Sequence, residues 1–150
     1  VIGWALRLAD ALRDRQRRKW WLDTAAAGRR GEDLAHRYLQ AKGLTVVSRN
    51  WRPESGGGEI DLVAREGGTL VFVEVKSRTS TESGAPERNA GPAKEEAMQR
   101  VCRQFATRAG VPWERVRFDL VSVLLTNPPR IEHRKDAFGR IVSPGARERR

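Results

Sequence analysis

The chain has 150 residues, 39% hydrophobic and 32% charged, with a net charge of +10 and a sequence pI of about 11.1. That length suits one domain around one core, and the composition excludes both a disordered chain and a helical membrane protein, since no apolar run approaches the ~20 residues of a span. The positive excess points to polyanionic partners, nucleic acid before an anionic membrane surface.

Residues 1–23 hold six Lys/Arg against three acids, and residues 139–150 hold four against one. The two ends thus carry +3 each, leaving +4 of the +10 for residues 24–138. The expected organisation is a basic helical or disordered arm over 1–23, a folded domain over 24–138 and a basic disordered tail over 139–150. In the first arm Trp4, Ala5, Leu8 and Leu12 fall at helical spacing, and Arg15 to Lys19 followed by Trp20 and Trp21 form a basic, aromatic knob. Such an arm either meets nucleic acid or a membrane surface, or packs its tryptophans on the domain. Its charge follows its apolar part, unlike a signal peptide.

Thr24 can cap a helix running to about Lys42 and stopped by Gly43, with Gly31, Leu34, Ala35, Tyr38 and Leu39 as its buried stripe. Glu32 lies on the edge of that stripe, one turn before His36; His36 is given no role. Thr45 to Trp51 reads as a first strand, and Pro53 to Gly58 as a flexible glycine-rich entry that lacks the Gly-Lys-Ser/Thr of a phosphate-binding loop.

Gly58 to Lys76 then reads as two strands about a Gly67-Gly68 turn. With those two residues as the turn, Glu66 faces Thr69, Asp61 faces Glu74 and Glu59 faces Lys76. Ile60, Leu62 and Ala64 then face Val75, Val73 and Val71 on the other side, giving one apolar face and one face with three carboxylates and a lysine at its open end. Like charges directly opposite repel by a few tenths to about 1 kcal/mol, and Glu and Lys are rare in such a strand unless paired. A divalent cation held by oxygen ligands would offset the repulsion; an ordinary salt-bridged strand end, with Lys76 neutralising Glu59 and Glu74, is the alternative.

Ser77 to Gly91 carries turn formers without periodicity and reads as a substrate-facing loop. Pro92 opens a helix to about Arg108, ended by Gly110 and Pro112, with Ala97, Met98, Val101, Cys102, Phe105 and Ala109 as its buried face. Cys102, the only cysteine, excludes an intramolecular disulfide and fits a reducing cytoplasm. Arg115 to Leu125 is a fourth strand in which Asp119 reads as a structural partner of a neighbouring Arg or Lys. Arg130 to Arg134 is a short strand at a sheet edge.

Asp61 followed one strand later by Glu74-Val75-Lys76 resembles the PD-(D/E)xK nuclease signature. More narrowly, Gly28-Arg29-Arg30-Gly31-Glu32, Asn50-Trp51-Arg52, Gly58-Glu59-Ile60-Asp61, Phe72 to Arg78, Arg117-Phe118-Asp119 and Ala137-Phe138 resemble an uncharacterised bacterial family, the YraN-like proteins, related in fold to archaeal Holliday junction resolvases. The resemblance implies an α/β, restriction-endonuclease-like core with a mixed central sheet flanked by helices. It implies Mg²⁺ or Mn²⁺ held by Asp61, Glu74, the Val75 carbonyl and Glu32, with Lys76 acting on the attacking water. Arg52, Arg78 and Lys94, the last at a helix start that suits phosphate, are the expected nucleic-acid contacts. The implied function is a metal-dependent endonuclease on DNA, branched or recombination intermediates by analogy with the resolvases, and a homodimer if the junction is symmetric. The alternative is a non-catalytic nucleic-acid-binding accessory protein of the same fold.

Overall fold

The computed structural model of the chain describes residues 24–79 and 92–137, apart from the side chains of Pro92 and Lys94. The arms expected over 1–23 and 139–150, and most of the loop expected over 77–91, lie outside the described residues.

Helix α1 covers residues 24–41 of the described chain. Gly43, at φ +92°, ends the helix in a conformation that costs a glycine nothing. Strands β1 (Thr45–Trp51), β2 (Ile60–Glu66) and β3 (Thr69–Arg78) form an antiparallel meander, helix α2 (Pro92–Arg108) follows, and β4 (Val116–Leu124) and β5 (Arg130–Arg134) complete the sheet. Strand order is 1-2-3-4-5, with β3 and β4 parallel and the other pairs antiparallel. A parallel pair needs a crossover, and α2 supplies it. The result is the expected α/β architecture, a five-stranded mixed sheet flanked by helices, compatible with a restriction-endonuclease-like core.

Each face of the sheet is apolar where a helix covers it. Ala35 and Leu39 of α1 pack with Leu62, Ala64, Val71, Val73, Val121 and Val123. Val101, Cys102 and Ala106 of α2 pack with Ile60, Val63, Leu70, Phe72 and Phe118. The sequence reading put the charges of the second hairpin face at its open end, and the structure adds what covers the rest of that face. Its body is apolar through Val63, Leu70 and Phe72, and its acids gather at the open end. Ile60 departs from its predicted face, joining the α2-side cluster while Leu62 joins the other. On α2, Ala106 is buried and Ala109 is exposed, so the buried face is rotated slightly from the one expected. The glycine-rich entry is seated rather than free: Gly57 and Gly58 approach Val101 and Met98 of α2.

On β4, in register with Val73 of β3, Asp119 is fully buried. It accepts hydrogen bonds from Arg117 Nε and Nη2 (2.8 and 2.9 Å), the Asp136 N–H (3.1 Å) and, at 2.8 Å, pairs with His133 Nε2. Burial alone would push this carboxyl up, but the bonds from Arg117, His133 and Asp136 outweigh it and hold Asp119 below its ordinary value. The pairing expected for Asp119 is present, and it locks β5 and the turn after it onto β4.

Candidate active site

The hairpin ladder follows the predicted register for five pairs, Glu66↔Thr69 to Leu62↔Val73. In a two-residue hairpin Glu66 and Thr69 exchange backbone hydrogen bonds, as do alternate pairs beyond them. Ile60 and Val75 should be next, yet the β2–β3 ladder ends before them, while β2 stays paired with β1 as far as Ile60↔Trp51. The Val75 N–H, left without its ladder acceptor, donates to Asp61 Oδ2 at 2.8 Å. A carboxylate thus replaces a backbone carbonyl, and β2 parts from β3 at this point. Asp61 and Glu74 border the gap but are not a ladder pair, nor are Glu59 and Lys76. Because the N–H and C=O of one strand residue point to the same side, the Val75 carbonyl faces the same gap.

Three more carboxylates surround Asp61. Burial is the main reason its pKa is raised to about 6; the Val75 N–H opposes the shift, and the charges of Glu32, Glu74 and Glu59 add to it. Glu32 arrives on α1 because the helix touches β3 through Gly31. A Cβ at Gly31 would lie 1.6 Å from Ser77 Oγ, so only glycine permits the approach. Glu32 Oε2 accepts from Asn50 Nδ2 at 3.2 Å and lies 3.8 Å from Arg49 Nη2, while Arg49 also binds Asp33 Oδ1 at 2.7 Å. Asn50 reaches Glu32 from a left-handed backbone conformation, φ +49°, which Asn tolerates better than most residues. Glu59 is engaged by Arg52. Glu74 Oε1 is 2.8 Å from Lys76 Nζ, with both side chains close to half exposed.

The structure therefore brings Asp61, Glu74, Lys76, Glu32 and the Val75 backbone to one place, with Glu59 as a further acid. Among the described residues, no three His, Cys, Asp or Glu side chains converge closely enough to enclose an ion. The donor set fits Mg²⁺ or Mn²⁺ in kind, all hard oxygens, but Glu74 is held by Lys76 and Asp61 by Val75. Arg52 is tied to Glu59 rather than presented alone. Arg78 stands at the end of β3 and lines an open groove beside the site. Lys94 lies in the first turn of α2, and its side chain is outside the described residues. Cys102 is buried, and burial pushes its thiol up to about 12, which suits a core residue and not a nucleophile.

Sequence reasoning missed Asn50 as a partner of Glu32; the signal was an Asn at a strand exit, where a left-handed residue is cheapest. It also missed Arg130 and Arg134, which line the groove with Arg78.

Residues 31–123, which contain every acid of this cluster and Lys76, match the uncharacterised protein family UPF0102. The chain belongs to the UPF0102 family. It is 49% identical to a UPF0102 protein of Solibacter usitatus over 138 residues, covering 92% of this chain and 100% of that one. A UPF0102 protein of Rhodococcus jostii is 44% identical over 115 residues, 75% of this chain and 96% of its own. A third, from Ralstonia pickettii, is 44% identical over 120 residues, 77% of this chain and 92% of its own. As a UPF0102 protein the chain has relatives of nearly its own extent, and their names assign no activity. Among the described residues no helix is long and apolar enough to cross a membrane.

Proposed function

We propose that this UPF0102 protein is a divalent-metal-dependent endonuclease acting on DNA in the cytoplasm. The observation that carries the reading is the parting of β2 from β3 at Asp61, which collects Asp61, Glu74, Glu32 and the Val75 carbonyl around one gap beside Lys76. Mg²⁺ or Mn²⁺ would be held by those oxygens. The chemistry such an ion supplies when bound is acidification of water and neutralisation of charge on a phosphodiester. Lys76, two residues beyond Glu74 on the same side of β3, would be released from Glu74 when that carboxylate is engaged elsewhere; its ammonium would then orient the attacking water and favour its deprotonation by stabilising the hydroxide, the proton passing to solvent. Branched DNA is the substrate suggested by the resemblance to resolvases, and a symmetric junction would need two copies of the chain.

A second reading, a nucleic-acid-binding accessory protein without catalysis, is favoured by the ion pair that already occupies Glu74 and by the lack of a closed oxygen cage among the described residues. The two are separated by incubating linear and four-way branched DNA with the protein in Mn²⁺, in Mg²⁺ and in EDTA. The endonuclease reading requires cleavage that depends on the ion and disappears in Glu74→Ala. Binding without cleavage under all conditions would leave the accessory role.

A further inference from the structure

Strand registers place nine side chains on one sheet face in three rows: Glu74, Leu120 and Arg134; Lys76, Ser122 and Glu132; Arg78, Leu124 and Arg130. Neighbouring strands lie about 4.8 Å apart, and rows two residues apart are about 7 Å apart. The patch is thus roughly 10 Å wide and 14 Å long. It continues the face that α2 covers at Leu70, Phe72 and Phe118, but among the described residues none of α2 lines the groove of about 470 Å³ above it. On β5 the alternation is strict: Arg130, Glu132 and Arg134 are exposed, while Ile131 packs against the α1-side core and the His133 side chain is 5% exposed.

We infer that this face of β3, β4 and β5 is a track for one phosphodiester strand of duplex DNA, leading it to Glu74 and Lys76. The inference rests on the nuclease reading for its direction, since Lys76, a catalytic candidate paired with Glu74, lines the groove on its β3 side. Its chemistry is independent of that reading. Four cations, Lys76, Arg78, Arg130 and Arg134, stand among two carboxylates, one of them already held by Lys76. Arginine at both ends of β5 offers forked donors matched to phosphate oxygens. Among the described residues the lining contains no aromatic side chain. Single-strand binders stack bases on aromatics, whereas a duplex hides its bases and offers its backbone, which is what a smooth floor of Leu120, Ser122 and Leu124 flanked by arginines can hold.

The test is binding of a fluorescent 20-base-pair duplex to the full chain in EDTA, titrated across salt concentrations, so that neither metal nor cleavage enters. Losing two phosphate contacts in Arg130→Ala/Arg134→Ala reduces the slope of log K against log salt by about 1.8, a loss of roughly 60-fold in affinity at 0.1 M salt from counterion release alone. Arg130→Lys/Arg134→Lys keeps most of the slope, and circular dichroism melting of both variants checks the fold. Glu132→Gln removes the opposing charge in the middle row and tightens binding several-fold. An unchanged slope in the Ala pair, or a loss confined to single-stranded DNA, overturns the assignment. Cleavage in Mn²⁺, measured separately, decides the nuclease reading: a protein that binds through the groove and never cuts, and one that cuts with the arginines removed, are different results.

Discussion

Asp61→Asn is the most informative single change. An acid whose folded pKa is about 6 against an ordinary 3.8 holds its proton more tightly when folded. Its contribution to stability is therefore full below pH 3.8 and is lost as pH rises through about 6. The displacement corresponds to about 3 kcal/mol at most, and nearer 1–2 kcal/mol for a part-exposed carboxylate among screened charges. Asparagine keeps an oxygen for the Val75 N–H and removes the charge that Glu32, Glu59 and Glu74 repel. In EDTA at pH 8 the variant should match or exceed wild type, by up to about 5 °C in Tm for a domain of this size. At pH 4 the two should converge, because Asp61 is then protonated. The same melts with Mn²⁺ supply the second arm. Binding to the folded state alone adds RT ln(1 + [L]/Kd), about 2.7 kcal/mol at a hundredfold excess over Kd, and the variant should lose most of that gain. The assay is thermal melting across pH with and without the ion. A metal-free variant melting well below wild type at pH 8 would mean that the Asp61 charge stabilises the fold, and the candidate site would lose its central ligand.

Three other outcomes are expected. Lys76→Ala should retain a Mn²⁺-induced rise in Tm but abolish cleavage, because the proposed work of Lys76 is on water; wild-type rates would remove it from the mechanism. Gly31→Ala gains roughly 1 kcal/mol in helix propensity but drives a methyl into Ser77, a 1.6 Å approach to its Oγ, so a net loss of about 1–2 kcal/mol is expected, partly restored by adding Ser77→Gly; a denaturant midpoint at or above that of wild type would show that α1 can back away freely. Asp119→Ala leaves the buried His133 without its carboxylate and Arg117 with Glu66 alone, and should cost about 3 kcal/mol. Since Asp119 is held below its ordinary value, its contribution is present above pH 3.8 and is lost as pH falls through the folded value; the gap between wild type and variant should thus narrow in acid, and a gap that persists undiminished there would assign the loss to packing alone.

Much of the scaffold was legible because local signals agreed with one another. Gly67-Gly68 between two alternating runs gave the turn, and the turn gave the facing pairs as far as Leu62↔Val73. Pro92 and Gly110 bracketed α2. The register failed at Asp61, where a side chain competes with the backbone for the Val75 N–H; strand alternation assumes an unbroken ladder and carries no sign of that substitution. The face of Ile60 was wrong for the same reason, since a strand that leaves its neighbour is free to turn. Arg117 beside Asp119 was readable two residues away, whereas His133 was not, because its approach depends on β5 pairing with β4 fourteen residues later. Arg130 and Arg134 read as polar edge residues until the β3–β4–β5 registers set them in rows with Glu74 and Arg78.

The four acids around the gap are not equivalent, and the difference says how the site would respond to a cation. Glu32 has Asn50 and Arg49, Glu59 has Arg52, and Glu74 has Lys76. Asp61, among the described residues, has a backbone N–H and no cationic partner, and it is the one whose pKa is raised to about 6. Each cationic partner is a side chain on β1, just after it or on β3, long enough to swing aside, whereas the N–H that binds Asp61 is fixed in the sheet. A cation entering the gap thus meets Asp61 already oriented and must compete with ammonium and guanidinium groups for the rest, and at Glu32 also with the Asn50 amide. That competition costs little at exposed ion pairs, which contribute about 0–1 kcal/mol, and it frees Lys76 at the moment Glu74 is taken. Glu32 is the acid with the most restraint, held by Asn50 and tied to the contact of Gly31 with Ser77. Substitutions at Asn50 and Gly31 should therefore weaken ion binding without touching any ligand, while Arg52→Ala should strengthen the negative field and tighten it.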